Sequence, residues 1–261
     1  MRLLIKLKSD NQFLPFNYNY PLSSAIYNLL RIGTPEFAQL LHDKGFKVNN
    51  KTYKLFSFAL LFEKYSFGKE GIKLESPYVK LIIASPILED FFKGILLGSF
   101  RVKELTLNVN GNKHLLGIKQ IEEIREPEFA NNMRFSMLSP LVVSTRKEYN
   151  GKMTQYFLRS TDDGKLFTEI INKNLINKYN LYHEKEYEGE GIDFKFDEEY
   201  LKKKKYDVQK KITLAVRKNK IDIIGIISPF YVTGDPKLIK VGYECGFGEK
   251  NSMGFGLAKP I

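Results

Sequence analysis

Twice along the chain an alternating apolar segment gives way to an amphipathic one, then to further alternating segments, a second amphipathic stretch and a last strand-like run. Residues 2–8 set Leu3, Ile5 and Leu7 against Arg2, Leu4, Lys6 and Lys8, the two-residue period of a half-buried strand. Residues 21–32 change period. There Leu22, Ala25, Ile26, Leu29 and Leu30 form one helical stripe behind Pro21, which suits a first turn. Thr34 and Pro35 read as N-cap and first residue of another helix, with Phe37, Leu40 and Leu41 as its stripe and Gly45 as its stop. Strands are predicted at 54–62, 78–84, 101–109 and 115–125, with a helix at 87–97. The second half is predicted to hold strands at 138–147 and 155–159, a helix at 166–182, and strands at 192–196, 212–218 and 221–231. A short helix at 236–243 and a strand at 254–260 complete it. Each half thus has the order of a split β-α-β unit. The expectation is an α+β chain of two tandem ferredoxin-like (RRM-like) domains, 1–126 and 127–261, meeting near Arg125-Glu126-Pro127.

Composition narrows the function classes. Lysine and arginine number 41 against 30 acidic residues, a formal charge of +11 that both halves share. Such an excess suits nucleic acid or another acidic surface, without choosing between them. The single cysteine, Cys245, excludes an internal disulfide framework and any multi-cysteine metal site. No run approaches the roughly 18 apolar residues of a membrane helix. Charges interrupt the opening apolar run, so it does not read as a signal peptide. The expected setting is cytoplasmic, with no membrane partner.

The most informative stretch is 246–256, where two Gly-Phe-Gly units flank five mostly polar residues. Glycines allow positive φ and close backbone approach, free N–H groups in such a loop can cradle an anion, and Lys250 adds charge. The plainer alternative is a tight hairpin that needs glycine only for its turns. A Walker loop is excluded because Glu249 follows Gly248, and a dinucleotide fingerprint because position 251 is Asn251.

This segment resembles the C-terminal glycine-rich loop of the CRISPR-associated endoribonucleases that cut precursor CRISPR RNA, the Cas-six family. The preceding Lys240-Val241-Gly242-Tyr243-Glu244, the opening residues 2–7, Ala25-Ile26-Tyr27-Asn28, His42, Lys54-Leu55-Phe56-Ser57 and Leu138-Ser139-Pro140-Leu141-Val142-Val143 resemble family features in the same order. The resemblance spans the whole chain. It implies two tandem ferredoxin-like domains, CRISPR repeat RNA as partner, other CRISPR effector subunits as further candidates, and no cofactor or metal. It assigns Gly246, Gly248, Lys250, Asn251, Ser252, Gly254 and Gly256 to RNA binding.

Two side chains stand apart from their helical stripes. At about 100° per residue, His42 lies near 140° from Phe37, and Tyr27 near 140° from Leu22. His42 also falls in a last turn, where the helix dipole favours a cation. Arg31 follows Tyr27 one turn later on the same side and is a candidate RNA contact. The resemblance pairs Tyr27 with His42 and adds a lysine, forming a metal-independent ribonuclease site. Lys54 comes first for that place and Lys51 second. His114, in a turn, and His183, in an acidic stretch, read as structural or solvent-facing, and the lysine run 202–205 as a solvated loop.

The chemistry so implied uses the RNA's own 2′-hydroxyl as nucleophile, with His42 and Tyr27 sharing acid–base work and Lys54 steadying the phosphorane. Which of the two is the base stays open at this level. The products would be a 2′,3′-cyclic phosphate and a 5′-hydroxyl. Two other readings are a repeat-binding subunit without cleavage and a scaffold whose ligand is protein.

Overall fold

The computed structural model describes residues 1–48, 51–216 and 219–261. The first half is built on an antiparallel sheet of β1 (Arg2–Ser9), β2 (Ser57–Phe62), β3 (Tyr78–Ala84), β4 (Glu104–Val109) and β5 (Asn112–Ile124). Their spatial order is β2-β3-β1-β5-β4. In the central strand, Ile5 lies opposite Leu81 of β3 and Ile121 of β5. The apolar face of β1 is buried as its alternation predicts, under α1 (Asn19–Gly33), α2 (Pro35–Gln39) and α3 (Lys93–Val102). Leu22, Ile26, Leu29 and Leu30 of α1 join Ile5, Leu7, Leu81 and Ile83 in that core.

The helices α1 and α3 cross in close contact because glycines stand at the crossing. A Cβ on Gly98 would come within 2.2 Å of the Leu29 carbonyl oxygen. One on Gly94 would come within 2.4 Å of Thr34 Oγ1. The Thr34 hydroxyl does not cap α2 as expected; it donates to the carbonyls of Leu30 (3.4 Å) and Asp90 (3.2 Å) and ties α1 to the turn before α3.

Several expected boundaries differ. The second predicted helix widens into a π turn at Leu40–Lys44, closed by the Gly45 N–H on the Leu40 carbonyl at 2.8 Å. The wider turn changes the angular spacing, so Ala38 and Leu41 face inward while Leu40 is exposed. The strand expected at 54–62 is broken. A hairpin of Phe46–Val48 with Lys51–Tyr53 precedes it, Leu55 sits at φ 50°, and β2 starts only at Ser57. A leucine with positive φ has no sequence signature. Arg101 and Val102 belong to α3, which ends at left-handed Lys103, rather than to a strand. The sequence reading also missed a three-stranded sheet of Phe13–Pro15, Tyr65–Phe67 and Gly71–Leu74.

The second half contains β6 (Asn132–Met137), β7 (Ser144–Tyr149), β8 (Lys152–Phe157), β9 (Ile192–Phe196), β10 (Gln209–Val216), β11 (Asn219–Ile226), β12 (Phe230–Gly234) and β13 (Ala258–Pro260). Four of these make a sheet in the order β9-β12-β6-β13, while β7-β8 and β10-β11 are separate hairpins. The helices are α4 (Gly164–His183), α5 (Glu198–Lys203) and α6 (Pro236–Cys245). The strand predicted at 138–147 is interrupted because its backbone serves another segment. Leu138 N–H bonds to Leu257 O (2.8 Å), while Glu249 N–H bonds to Val142 O (2.8 Å) and Gly256 N–H to Pro140 O (2.9 Å). The strand predicted at 221–231 divides into β11 and β12, with Pro229, which has no N–H, between them. Only Ala258–Pro260 of the last predicted strand joins the sheet. The end of the strand predicted at 212–218 lies outside the described residues. Among those residues, no helix is long and apolar enough to cross a membrane.

Replacing Gly98 by alanine is expected to wedge α1 from α3 and destabilise the protein by about 1–3 kcal/mol, the range for overpacked sites. Urea unfolding read by tryptophan-free far-ultraviolet dichroism measures this; an unchanged midpoint would show that the helices slide apart freely.

Candidate functional site

The site is organised by a lysine in the wrong place for a surface residue. Lys178 of α4 is 2% exposed and donates to the carbonyls of Gly246 (2.7 Å) and Gly248 (3.0 Å) and to Asn251 Oδ1 (2.8 Å). Asn251 Nδ2 in turn donates to the carbonyls of Phe247 and Phe255, both at 3.1 Å. Every hydrogen of this ammonium therefore meets an oxygen of the glycine-rich segment, as a buried cation requires. Burial pushes its pKa down to about 8.

The glycines are as tightly used. A Cβ on Gly248 would lie 2.3 Å from the Val142 carbonyl oxygen, and Gly246, Gly248, Gly254 and Gly256 all have φ between 70° and 83°. The structure places Gly246, Gly248, Asn251, Gly254 and Gly256 in the buried interior of the loop, and leaves Lys250 and Ser252 partly exposed. On its other side the loop rests on α1. Ser23 Oγ donates to the Ser252 carbonyl at 2.7 Å, and Asn19 Nδ2 to that of Met253 at 3.2 Å. The loop thus joins the two halves of the chain.

Beside this seam lies a cleft of about 700 Å³ whose walls include Tyr27, Arg31, His42, Lys54 and Ser252. Tyr27 comes from the middle of α1 and His42 from the π turn. Their rings meet edge to face, with centroids 5.5 Å apart and planes at 87°. Tyr27 also packs edge to face on Phe56 (5.6 Å). Burial raises the Tyr27 phenol pKa well above its ordinary value. His42 is open to the cleft, its side chain 71% exposed, and its Nδ1 lies 2.8 Å from Asp43 Oδ1. This hydrogen bond holds the Asp43 carboxyl below the usual carboxylate range. An imidazole that donates its Nδ1 hydrogen there presents Nε2 as an acceptor.

Lys54 returns to the same turn from the far side of the hairpin. Its Nζ donates to the carbonyl oxygens of Leu41 and His42, the latter at 2.7 Å. An ammonium on the last carbonyls of a helical turn complements the dipole there. Partial burial lowers its pKa. One N–H of the three is left over from these two bonds. Lys51, the other candidate, pairs with Glu249 at 3.2 Å and does not line the cleft. Arg31 sits on the rim, its Nη2 on Asn28 Oδ1 at 2.8 Å. Lys250 opens instead onto an adjoining pocket of about 250 Å³, which shares Lys54 and Ser252 with the cleft.

The remaining candidates are elsewhere. His114 lies not in a turn but buried on β5 opposite Leu107, and His183 packs tilted at 41° against Tyr179 with centroids 4.2 Å apart. Lys202 and Lys203 form the last turn of α5 rather than a loop, and the run 202–205 is exposed. Among the described residues no three His, Cys, Asp or Glu side chains cluster to hold a metal. The sequence reading missed Lys178, Asn19, Ser23 and Asp43. A signal existed for Lys178: it stands 11 residues after Phe167, about 20° round the helix, and so on the apolar stripe of α4.

The fold and cleft define a mixed α/β protein of two sheet-and-helix halves with a basic, aromatic cleft along their seam. Residues 13–113 match the family described as CRISPR-associated protein Cas6, N-terminal, and residues 124–260 the one described as CRISPR associated protein Cas6, C-terminal. The chain is 33% identical over 263 residues to the CRISPR-associated endoribonuclease Cas6 1 of Methanocaldococcus jannaschii, covering 98% of this chain and 91% of that one. It is 32% identical over 270 residues to the putative CRISPR-associated endoribonuclease-like protein Cas6nc of Pyrococcus horikoshii, covering 100% of both. A solved structure of a Cas6-related gene product from Pyrococcus furiosus superposes with a TM-score of 0.81 at 27% identity, covering 100% of this chain and 98% of that one. One described as a RAMP protein binding different RNA substrates does so with a TM-score of 0.80, also at 27% identity, covering 100% and 99%. The chain belongs to the Cas6 family, as the resemblance of its glycine-rich segment implied.

Replacing Lys178 by methionine is expected to destabilise the protein by at least about 2 kcal/mol, since three buried oxygens lose their donor. The unfolded lysine binds its proton up to the ordinary value of 10.5 and the folded one only to about 8. The unfolded state therefore holds more proton between these values, and this group's contribution to stability rises with pH across that window. Urea unfolding at pH 7.5 and pH 10 should show the native chain gaining on the methionine variant at the higher pH.

Proposed function

We propose that this Cas6-family protein is a cytoplasmic endoribonuclease that binds CRISPR repeat RNA and cuts precursor CRISPR RNA in the cleft beside α1. The observation behind this reading is the gathering of Tyr27, His42, Lys54 and Arg31 around one cavity from separate parts of the chain. The sheet orders support two ferredoxin-like units, β2-β3-β1-β5 and β9-β12-β6-β13, with β4 added at one edge. Their division falls between β5 and β6, in keeping with domains 1–126 and 127–261.

In this reading the 2′-hydroxyl next to the scissile phosphate loses its proton to Nε2 of His42, and its oxygen bonds to phosphorus. The bond to the 5′-oxygen breaks, and that oxygen takes a proton from the Tyr27 hydroxyl, which the neighbouring His42 imidazolium restores. The ends produced are a 2′,3′-cyclic phosphate and a 5′-hydroxyl. Imidazole is the side chain that exchanges protons near neutrality. Tyr27, whose phenol burial keeps protonated, suits a donor role toward the leaving or non-bridging oxygen and not that of base. Lys54 and Arg31 supply positive charge for the phosphorane, so the reaction calls for no metal or cofactor. Ser252 and Lys250 present the exposed side of the glycine-rich loop to RNA. Gly246, Gly248, Asn251, Gly254 and Gly256 shape it from inside.

The test is incubation with CRISPR repeat RNA in EDTA. The native chain should cut, and His42→Ala should cut roughly 10²–10⁴-fold more slowly while still shifting the RNA in a gel, the span for loss of a general acid–base group. A substrate with a 2′-deoxy sugar at the cut should resist. RNA that is bound but never cut by the native chain would establish a repeat-binding subunit instead. Absence of any salt-sensitive shift would point to a protein ligand.

A further inference from the structure

A phosphate-binding cleft has no evident use for a carboxylate, which repels its ligand. Asp43 is nevertheless one of the lining residues, the one acidic side chain there among the described residues, set against Arg31 and Lys54. It follows His42 in the π turn. Consecutive residues of an α-helix point about 100° apart. The wider turn narrows that angle, and Asp43 Oδ1 reaches His42 Nδ1 at 2.8 Å. The two side chains are 56% and 71% exposed. A pair so open to water contributes little to folding, and its effect falls on the ring itself.

The carboxyl can only accept. The bond to His42, the amide of Gln39 and the charge of Lys54 hold it below the usual carboxylate range, so at neutral pH it has no hydrogen to give. The hydrogen between the two groups therefore belongs to Nδ1. Which nitrogen of an imidazole carries the hydrogen is set by the bond that the other makes. In water a neutral histidine side chain favours the hydrogen on Nε2, where it would block a base. Asp43 inverts that preference and leaves the Nε2 lone pair free. Arg31 and Lys54 also oppose a positive ring, and a carboxylate on Nδ1 offsets them.

We propose that Asp43 is a positioning residue for RNA cleavage: its carboxylate fixes the Nδ1–H tautomer of His42 and balances the imidazolium that forms when Nε2 takes the 2′-hydroxyl proton. The inference rests on the RNA-cleaving reading above. Asp43 itself takes no proton and touches no reacting atom. One atom, Nε2, removes the proton of the nucleophile and hands it on to the Tyr27 oxygen, while Nδ1 keeps its hydrogen throughout. Gln39, four residues before Asp43, bonds to the same carboxyl and steadies it. RNA seated in the cleft excludes water from the pair and strengthens it, as lower polarity does for any charge contact.

The experiment reads tautomer and rate separately. Long-range proton–nitrogen correlation on the full chain, labelled with heavy nitrogen at histidine, reports the tautomer of each ring at about pH 8.5, where an ordinary imidazole is neutral. The chain has only His42, His114 and His183, and the spectrum of His42→Ala identifies the signals of His42. Native His42 should carry its hydrogen on Nδ1. Asp43→Asn should move most of it to Nε2, because the amide can turn its own donor toward Nδ1. Asp43→Asn should cut repeat RNA about tenfold to a hundredfold more slowly in a single turnover, less than the loss of the base itself. Its RNA binding should be no weaker and its thermal midpoint unchanged. Asp43→Glu, which keeps the carboxylate, should recover part of the rate. A native His42 with its hydrogen on Nε2, the same tautomer in Asp43→Asn, or equal cutting rates would overturn the positioning role while leaving cleavage intact. Repeat RNA that the native chain binds and does not cut would instead overturn the cleavage reading, and the role of Asp43 with it.

Discussion

The structure depends on one buried ammonium. Lys178 bonds to two glycine carbonyls and the Asn251 amide oxygen, and without that donor the backbone of the glycine-rich loop would bury oxygens with nothing to meet them. Burial of a charge is unfavourable unless it is fully bonded. The loop satisfies that condition by closing tightly, which only residues without a Cβ permit at Gly248 and Gly256. The same closure turns Ser252 and Met253 outward onto α1, where Ser23 and Asn19 hold their carbonyls. A single polar centre in the second half thereby sets the position of a wall of the cleft in the first.

The cleft itself is a meeting of local compromises. The π turn lets His42 leave the apolar side of its helix while Leu41 stays inside. The positive φ of Leu55 lets the chain reverse so that Lys54 reaches the end of that turn and Phe56 enters the core beneath Tyr27. Each is a departure from regular structure, and such departures concentrate where a chain must aim side chains and not merely bury them. Tyr27 is the opposite case: it sits in regular helix, and packing against Phe56 and His42 fixes its ring.

The alternation of β1 and the stripe of α1 were legible in the sequence because burial imposes their periods directly. The same held for the strands Tyr78–Ala84 and Ile192–Phe196. Tyr27 and His42 fall outside those stripes, but the family resemblance and not their angles paired them, and their edge-to-face meeting is in keeping with that pairing. The misread segments share one cause. At 54–56 and 138–143 the backbone bonds to distant parts of the chain, and apolar composition says nothing about which partner a backbone group takes. Lys178 was hidden by residue type, since a lysine is ordinarily placed in water whatever its angle on a helix. The close approach expected of the glycine-rich segment is present, but it is to the protein's own backbone at Gly248 and Gly256 and to its own side chains at Gly246 and Gly254.

The wall supplied by residues 246–256 has a temporal meaning. Tyr27, His42 and Lys54 leave the ribosome early, while Ser252 follows nearly two hundred residues later, roughly ten to forty seconds at ordinary rates of synthesis. During that interval α1 lacks the loop that Ser23 and Asn19 hold, although Lys178, which anchors the loop, is made 68 residues before Gly246. A nascent chain therefore presents its imidazole and phenol on an unfinished surface, and the cavity closes only when the last helix and its loop dock. Translation order thus keeps Tyr27, His42 and Lys54 apart from the finished cleft until residues 246–256 have been made.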